Sequence, residues 1–236
     1  MASKTLTWDD DGKRFYENGT DRGVLYPKSA SGYAAGVAWN GLTAVTESPD
    51  GAEPTDLYAD NGKYAVMRSA ETLGFTIEAY TYPDEFAVCD GGRQIAKGAY
   101  IGQQTRTSFG FCYRTRIGND VDSEVAYRLH IYYGCTASPS EKNYETVNDS
   151  PDAMTLSWEC TTTPVSIAGF KPTASIMVDS RYADKEKLAA LEKLLYGSET
   201  ADAALPDPQT IITTLGAAEA VSLSDMSTEN TEKSVI

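Results

Sequence analysis

The chain has 236 residues, 34 acidic against 20 basic side chains, and a net charge of −14. Its hydrophobic content of 41% is enough for a core and excludes a wholly disordered polypeptide. So acidic a chain lacks the basic patch a sequence-reading nucleic-acid protein needs, although it suits a surface past which DNA slides without sticking.

The 15 tyrosines, with many Thr and Val residues, favour strands over helices. The first residues, MASKTLTWDDDG, lack a signal-peptide core, and no apolar run reaches the length of a membrane span, so the expected compartment is a cytoplasm. Cys89, Cys112, Cys135 and Cys160 are widely spaced with no CxxC pair and read as small buried thiols, not as a disulfide or zinc set.

Along the chain, Thr5–Trp8 and Lys13–Glu17 around DDDG predict an N-terminal hairpin, with Asp9, Asp10 and Asp11 as a solvated turn. Val24–Tyr26 and Gly36–Thr46 are the next extended pieces, the latter offering Val37, Trp39 and Val45 to a core. From Glu47 to Asp60 the character changes. Pro49, Gly51 and Pro54 predict a segment without regular structure, five carboxylates are spread through it, and Leu57, Tyr58 and Tyr64 predict a loop that docks.

Thr72–Phe86 is the clearest strand. Leu73, Phe75, Ile77 and Ala79 alternate with Thr72, Thr76, Glu78 and Tyr80, giving one dry and one wet face, and Pro83 should end it near Tyr82. Asp84–Gly102 reads as a connection whose GGRQIAKG lacks phosphate-loop spacing.

Ser108–Arg116 and Val125–Gly134 predict a hairpin. Equal parity would put Phe109, Phe111 and Tyr113 with Tyr127, Leu129, Ile131 and Tyr133 on a core face. Arg114, Arg116 and Arg128 would then share the opposite, basic face with Cys112 and His130. Ser138–Asp152 is a polar loop with turn residues Asn148, Asp149 and Pro151. Met154–Thr163 carries Leu156, Trp158 and Cys160 on one side and Glu159 on the other, and Thr173–Asp179 places Ala174, Ile176 and Val178 inward. Asp184 caps a helix of about 184–196 with a Leu188, Leu191, Leu194 and Leu195 stripe ending at Gly197. Asp207-Pro208 opens a second short helix before Gly216. Residues 217–236 lack periodicity and read as a tail.

No catalytic constellation emerges. His130 is the single histidine, and a Cys112–His130 dyad would sit mid-strand among arginines, where nucleophiles are rare. Asp84-Glu85 beside Pro83 reads as loop surface, and the expectation is no enzyme, metal or cofactor.

The blocks WNGLTAVTESPDGAEPTDLYADNGKY (39–64), TIEAYTYPDEFAVCDG (76–91), IGQQTRTSFGFCYRTRIGND (101–120), NDSPDAMTLSWECTTTPV (148–165) and DKEKLAALEKLLYG (184–197) occur in this order. Together they resemble the major tail protein, or tail-tube protein, of bacteriophages with long non-contractile tails. The resemblance covers most of residues 1–216, which it makes one tail-tube domain, and leaves 217–236 outside.

It implies a β-sandwich or half-barrel with a flanking helix, six copies closing into rings, and rings stacking around a tape-measure protein. Tail assembly chaperones would assist, the site of assembly would be the host bacterial cytoplasm, and double-stranded DNA would later cross the lumen without specific binding. No membrane is involved. By position, 47–64 becomes the ring-stacking loop, with Pro49, Pro54, Leu57, Tyr58 and Tyr64 as its contacts. Glu78 and Glu159 become lumen-lining candidates, and Arg114, Arg116 and Arg128 an inter-subunit basic face. The rival reading is an acidic β-sandwich binding module of lectin or adhesion type.

Overall fold

The computed structural model describes residues 6–51, 53–144, 146 and 153–216. Thr5, the turn residues Asn148, Asp149 and Pro151, and the expected tail from 217 onward lie outside them. The strands in chain order are β1 (Tyr16–Ser29), β2 (Gly32–Tyr33), β3 (Val37–Trp39), β4 (Leu42–Gly51), β5 (Pro54–Ala59), β6 (Gly62–Arg68) and β7 (Glu71–Ala79). They continue with β8 (Arg93–Ala96), β9 (Ala99–Ile101), β10 (Phe109–Gly118), β11 (Ala126–Ala137), β12 (Leu156–Thr161) and β13 (Ser175–Asp179), followed by helices α1 (Lys185–Tyr196) and α2 (Pro208–Leu215).

All strand pairs are antiparallel, in the order β2-β1-β10-β11-β12-β7-β4, with β13 also on β11 and β3 also on β1. The sheet folds over itself at β11, which pairs with β13 through Arg128–Tyr132 and then with β12 at Thr136 and Ala137. Gly134 makes that change of partner possible. Its φ is +58, and a Cβ there would lie 2.5 Å from the Thr163 carbonyl oxygen.

The folded sheet encloses an aromatic core. Trp39, Phe75, Ile77, Phe86, Phe111, Tyr132 and Trp158 are buried together, with Phe86 4.6 Å from Trp39 and 5.2 Å from Trp158 between ring centroids. Trp39 donates its indole N–H to the Thr81 carbonyl at 2.9 Å. The alternation in β7 holds residue by residue, Phe75, Ile77 and Ala79 being buried. The strand ends at Ala79 instead of near Tyr82, because its two neighbours also end there: Leu42 and Leu156 both pair with Ala79.

A second core lies on the other side of β10 and β11. Cys112, Leu129, Ile131, Tyr133 and Val178 pack under Leu188, Leu191 and Leu195 of α1 and Ile211 of α2. Asp184 caps α1 by accepting from the Glu186 and Lys187 amides at 3.0 and 3.1 Å, and Asp207 caps α2 by accepting from Thr210 at 2.8 Å. The class expected from the sequence, a mainly β sandwich with a flanking helix, holds, and two helices do the flanking.

Two local expectations fail. Residues 6–15 form no strand. Side chains satisfy their backbone instead of a ladder: Arg14 donates to the Asp9 carbonyl at 2.6 Å, and Asp120 accepts from the Gly12 amide at 3.0 Å. Within the stretch 47–60, residues 47–51 and 54–59 are strand and not irregular. β4 continues against β7 from Leu42↔Ala79 to Gly51↔Glu71, and β5 pairs with β6 out to a turn whose central residues, Asp60 (φ 50) and Asn61 (φ 61), are both left-handed. Pro49 is tolerated because β4 is an edge strand bonded only to β7, and Pro54 because β5 is bonded only to β6.

Candidate assembly surfaces

The β5–β6 hairpin is an arm without a core of its own. Every described residue of β5 is exposed, and Tyr58, Tyr64 and Met67 expose 72%, 77% and 59% of their surface. Leu57 and Val66 are exposed beside them, and Lys63 pairs with Asp56 at 2.7 Å. A two-stranded ribbon is marginal in water by itself, and this one carries its large apolar groups outward. Four of the five expected contact residues, Pro54, Leu57, Tyr58 and Tyr64, lie on or beside this hairpin. Pro49 lies at its root on β4.

The wet face of the folded-over half is built from small polar residues. Ser157 stands opposite Glu78 and Glu159 opposite Thr76, with Thr46 across from Thr76 on the other side. Glu78 and Glu159 therefore share one face, Glu78 half-buried and Glu159 exposed. Among the described residues neither carboxylate takes an ion pair.

The three arginines do not share a face. Tyr113 stands opposite His130, Arg114 opposite Leu129 and Thr115 opposite Arg128, so odd residues of β10 join even residues of β11. Arg114 and Arg116 consequently point toward α1, and Arg128 and His130 point with Tyr113 and Thr115 toward the other face. The equal-parity premise fails because both faces of this hairpin are buried, so hydrophobicity alone did not fix the register. The same pairing separates the dyad candidates: Cys112, opposite Ile131, lies in the helix-side core, away from His130.

Each arginine is neutralised within the chain. Asp21 receives Arg114 through Nε and Nη2, both at 2.7 Å, and Arg116 through Nη2 at 2.8 Å. Arg116 also reaches Glu124, and Arg128 reaches Glu17 and Asp179. The Arg114 hydrogen bonds hold the Asp21 carboxyl down at about 2, and Arg181 beside Asp179 likewise keeps that carboxyl well below its usual range. These partners come from β1, β13 and the β10–β11 connection of the same protein, where the sequence reading expected a neighbour.

At the root of the arm a polar cluster bridges the two halves of the sheet. The Tyr132 hydroxyl donates to Glu47 of β4 and lies 3.2 Å from the Tyr113 hydroxyl. The His130 ring stacks on Tyr113 at 4.6 Å, and its Nε2 lies 3.0 Å from Thr115 Oγ1, which itself donates to Glu17. Burial lowers the His130 pKa while Glu17 and Glu47 pull it upward. No motif announces this cluster in the sequence, because its members come from four strands.

The four thiols are buried and free, and burial pushes Cys89, Cys112 and Cys160 up to about 12, which leaves them as unreactive apolar groups. Asp84 and Glu85 occupy the exposed first turn of a short 3₁₀ segment that buries only Phe86. No helix among the described residues is long and apolar enough to cross a membrane.

No protein-family model matches this chain, and no curated protein matches it. A chain in the cryo-EM structure of the anti-feeding prophage (AFP) baseplate, 6-fold symmetrised, is similar to it at a TM-score of 0.34. The two are 7% identical over 75% of this chain and 97% of that one. A likeness of that degree fixes neither the fold nor the role of this chain.

Proposed function

We propose that this protein is a structural subunit of a phage tail, and specifically the tail-tube protein. Copies close into six-membered rings, and the rings stack into a hollow tube around a tape-measure protein through which the genome later passes. The observation that carries the reading is the arm, a β-hairpin presenting Leu57, Tyr58, Tyr64, Val66 and Met67 to solvent from a well-packed sandwich. Such a surface asks for a partner, and identical copies supply one at no cost in specificity.

Two further features support it. The edge of β4 carries ladder groups that a closed ring would pair. The Glu78–Glu159 face, lined by Thr and Ser and without an ion pair among the described residues, suits a wall that repels phosphate.

Negative-stain images of purified protein test the proposal. Wild type should form rings or tubes, whereas replacing residues 53–69 by an Asn-Gly turn should leave a folded protein that forms neither. A cut at 48–60 would be a poorer test, since it removes the end of β4 from its ladder with β7. Monomers or dimers of wild type under all conditions would instead favour an acidic β-sandwich binding module.

A further inference from the structure

Besides the arm, the molecule exposes a second apolar surface, which follows the opposite end of the same strand. The arm leaves where Gly51 of β4 meets Glu71, the first residue of β7. Past Ala79, the last residue of β7, the chain runs through Tyr80, Tyr82 and the 3₁₀ segment Asp84–Val88 into the β8–β9 hairpin. The nine residues of β7 separate the two, roughly 27 Å at the rise of a β-strand. Ile95 and Tyr100 of this hairpin expose 65% and 52% of their surface, and Ile101, Tyr80 and Tyr82 are exposed as well.

Unlike the arm, this surface is concave. A cleft of about 310 Å³ is lined by Tyr82, Ala87, Gly92, Tyr100, Ile101 and Lys142, whereas roughly 150 Å³ suffices for a benzene-sized ring. Its wall is fixed within the chain: Lys142 lies over the Tyr82 ring at 5.7 Å and pairs with Asp90, which also receives Arg106 at 3.1 Å. The arm presents two aromatic rings near its turn, Tyr58 and Tyr64.

The charges are complementary. Residues 93–101 hold Arg93 and Lys97 and no carboxylate, and neither cation takes an ion pair among the described residues. On the arm, Glu53 and Arg68 flank the base and Lys63 is taken by Asp56, which leaves Asp60 as the uncompensated charge of the tip.

We propose that this cleft is the socket for the arm of a second copy of the chain. The Tyr58–Tyr64 tip enters the cleft, and Asp60 meets Arg93 and Lys97 at its rim. The socket rests on the reading above only in taking a second copy as the partner, and it adds where on that copy the arm goes. Because plug and socket are different surfaces beyond opposite ends of β7, the contact is head-to-tail and repeats instead of closing a pair. Insertion of the ring supplies most of the affinity, and the rim charges set the orientation.

Chemical cross-linking tests the socket without requiring tubes. The four native thiols are buried, so a short bismaleimide acts on introduced cysteines. Full-length Tyr64→Cys mixed with full-length Ile101→Cys should give a dimeric adduct that neither variant gives alone. Arg93→Glu with Lys97→Glu in the Ile101→Cys chain should lower that adduct about tenfold, and Asp60→Lys in the arm-donating chain should recover most of it. Tyr100→Ala should lower it without recovery by Asp60→Lys. An equal adduct from Tyr64→Cys alone, which is arm-to-arm pairing, would overturn the socket, as would a mixed adduct that is absent or indifferent to the charge reversal. Normal tubes from a chain carrying Arg93→Glu, Lys97→Glu and Tyr100→Ala would overturn the socket and leave the tube reading standing. A charge-dependent mixed adduct from a chain that never forms rings or tubes would uphold the socket and overturn the tube reading.

Discussion

Asp21 is where two arginines of the helix-side face converge, and replacing it by Asn tests how the chain manages its charge. The carboxyl is held at about 2 against an ordinary 3.8, chiefly by the Arg114 hydrogen bonds. A difference of about two pH units, at about 1.4 kcal/mol each, sets a ceiling near 2.5 kcal/mol. Asp21 keeps 26% of its side chain exposed, so solvent screening lowers the useful part to about 1–2 kcal/mol. The substitution also strands Arg114, 16% exposed and lying over the Tyr127 ring at 5.3 Å, without its bidentate partner. That pushes the total toward about 2–3 kcal/mol.

The pH dependence has a definite sign. A carboxyl whose folded pKa is depressed contributes fully above its unfolded value and loses that contribution as pH falls through the folded one. In urea titrations Asp21→Asn should therefore fall below wild type by about 2 kcal/mol at neutral pH. The gap should narrow between about pH 4 and pH 2. A gap that is absent at pH 7, or equally wide at pH 7 and pH 2, would refute the reasoning.

Phe86→Ala should cost about 3–5 kcal/mol in the same titration, because it empties the centre of the Trp39–Phe86–Trp158 cluster. Gly134→Ala should cost about 1–3 kcal/mol, since it adds a Cβ 2.5 Å from the Thr163 oxygen at a positive φ. Glu78→Lys with Glu159→Lys should leave tail length unchanged and slow genome release, read as infectivity of virions carrying both. Equal infectivity would remove this face from the lumen.

How much could be read beforehand differs by element. β7 and β12 were legible because each buries one face only, so the alternation of Phe75 and Ile77 with Thr76 and Glu78 is a direct print of the structure. The helices were legible through Asp184, Gly197 and Asp207-Pro208, which act on neighbouring residues. The arm was hidden by its prolines, which signal a break only where a ladder runs on both sides of the strand. Asp60-Asn61-Gly62 between runs of strand-forming residues was the cue that could have found it.

The β10–β11 hairpin was misread for a different reason, with consequences for charge. With cores on both faces, parity sorts each strand into two sets but cannot say which set of one strand meets which set of the other. Only the register, set by the Asn119–Val125 turn, decides that Tyr113 meets His130. Once the register is right, the basic face dissolves into two sites, each carrying its own acids: Asp21 and Glu124 on one side, Glu17 and Asp179 on the other. Much of the scarce positive charge is thus spent inside the chain, on pairs that tie β1, β10, β11 and β13 together. Arg106 and Lys142 do the same at Asp90. On the Glu78–Glu159 face, neither carboxylate has a basic partner among the described residues. The net charge of −14 repels at long range and is screened by salt, whereas the apolar contacts offered by Leu57, Tyr58, Tyr64 and Met67 act at short range and are not. Association of copies should accordingly strengthen with ionic strength.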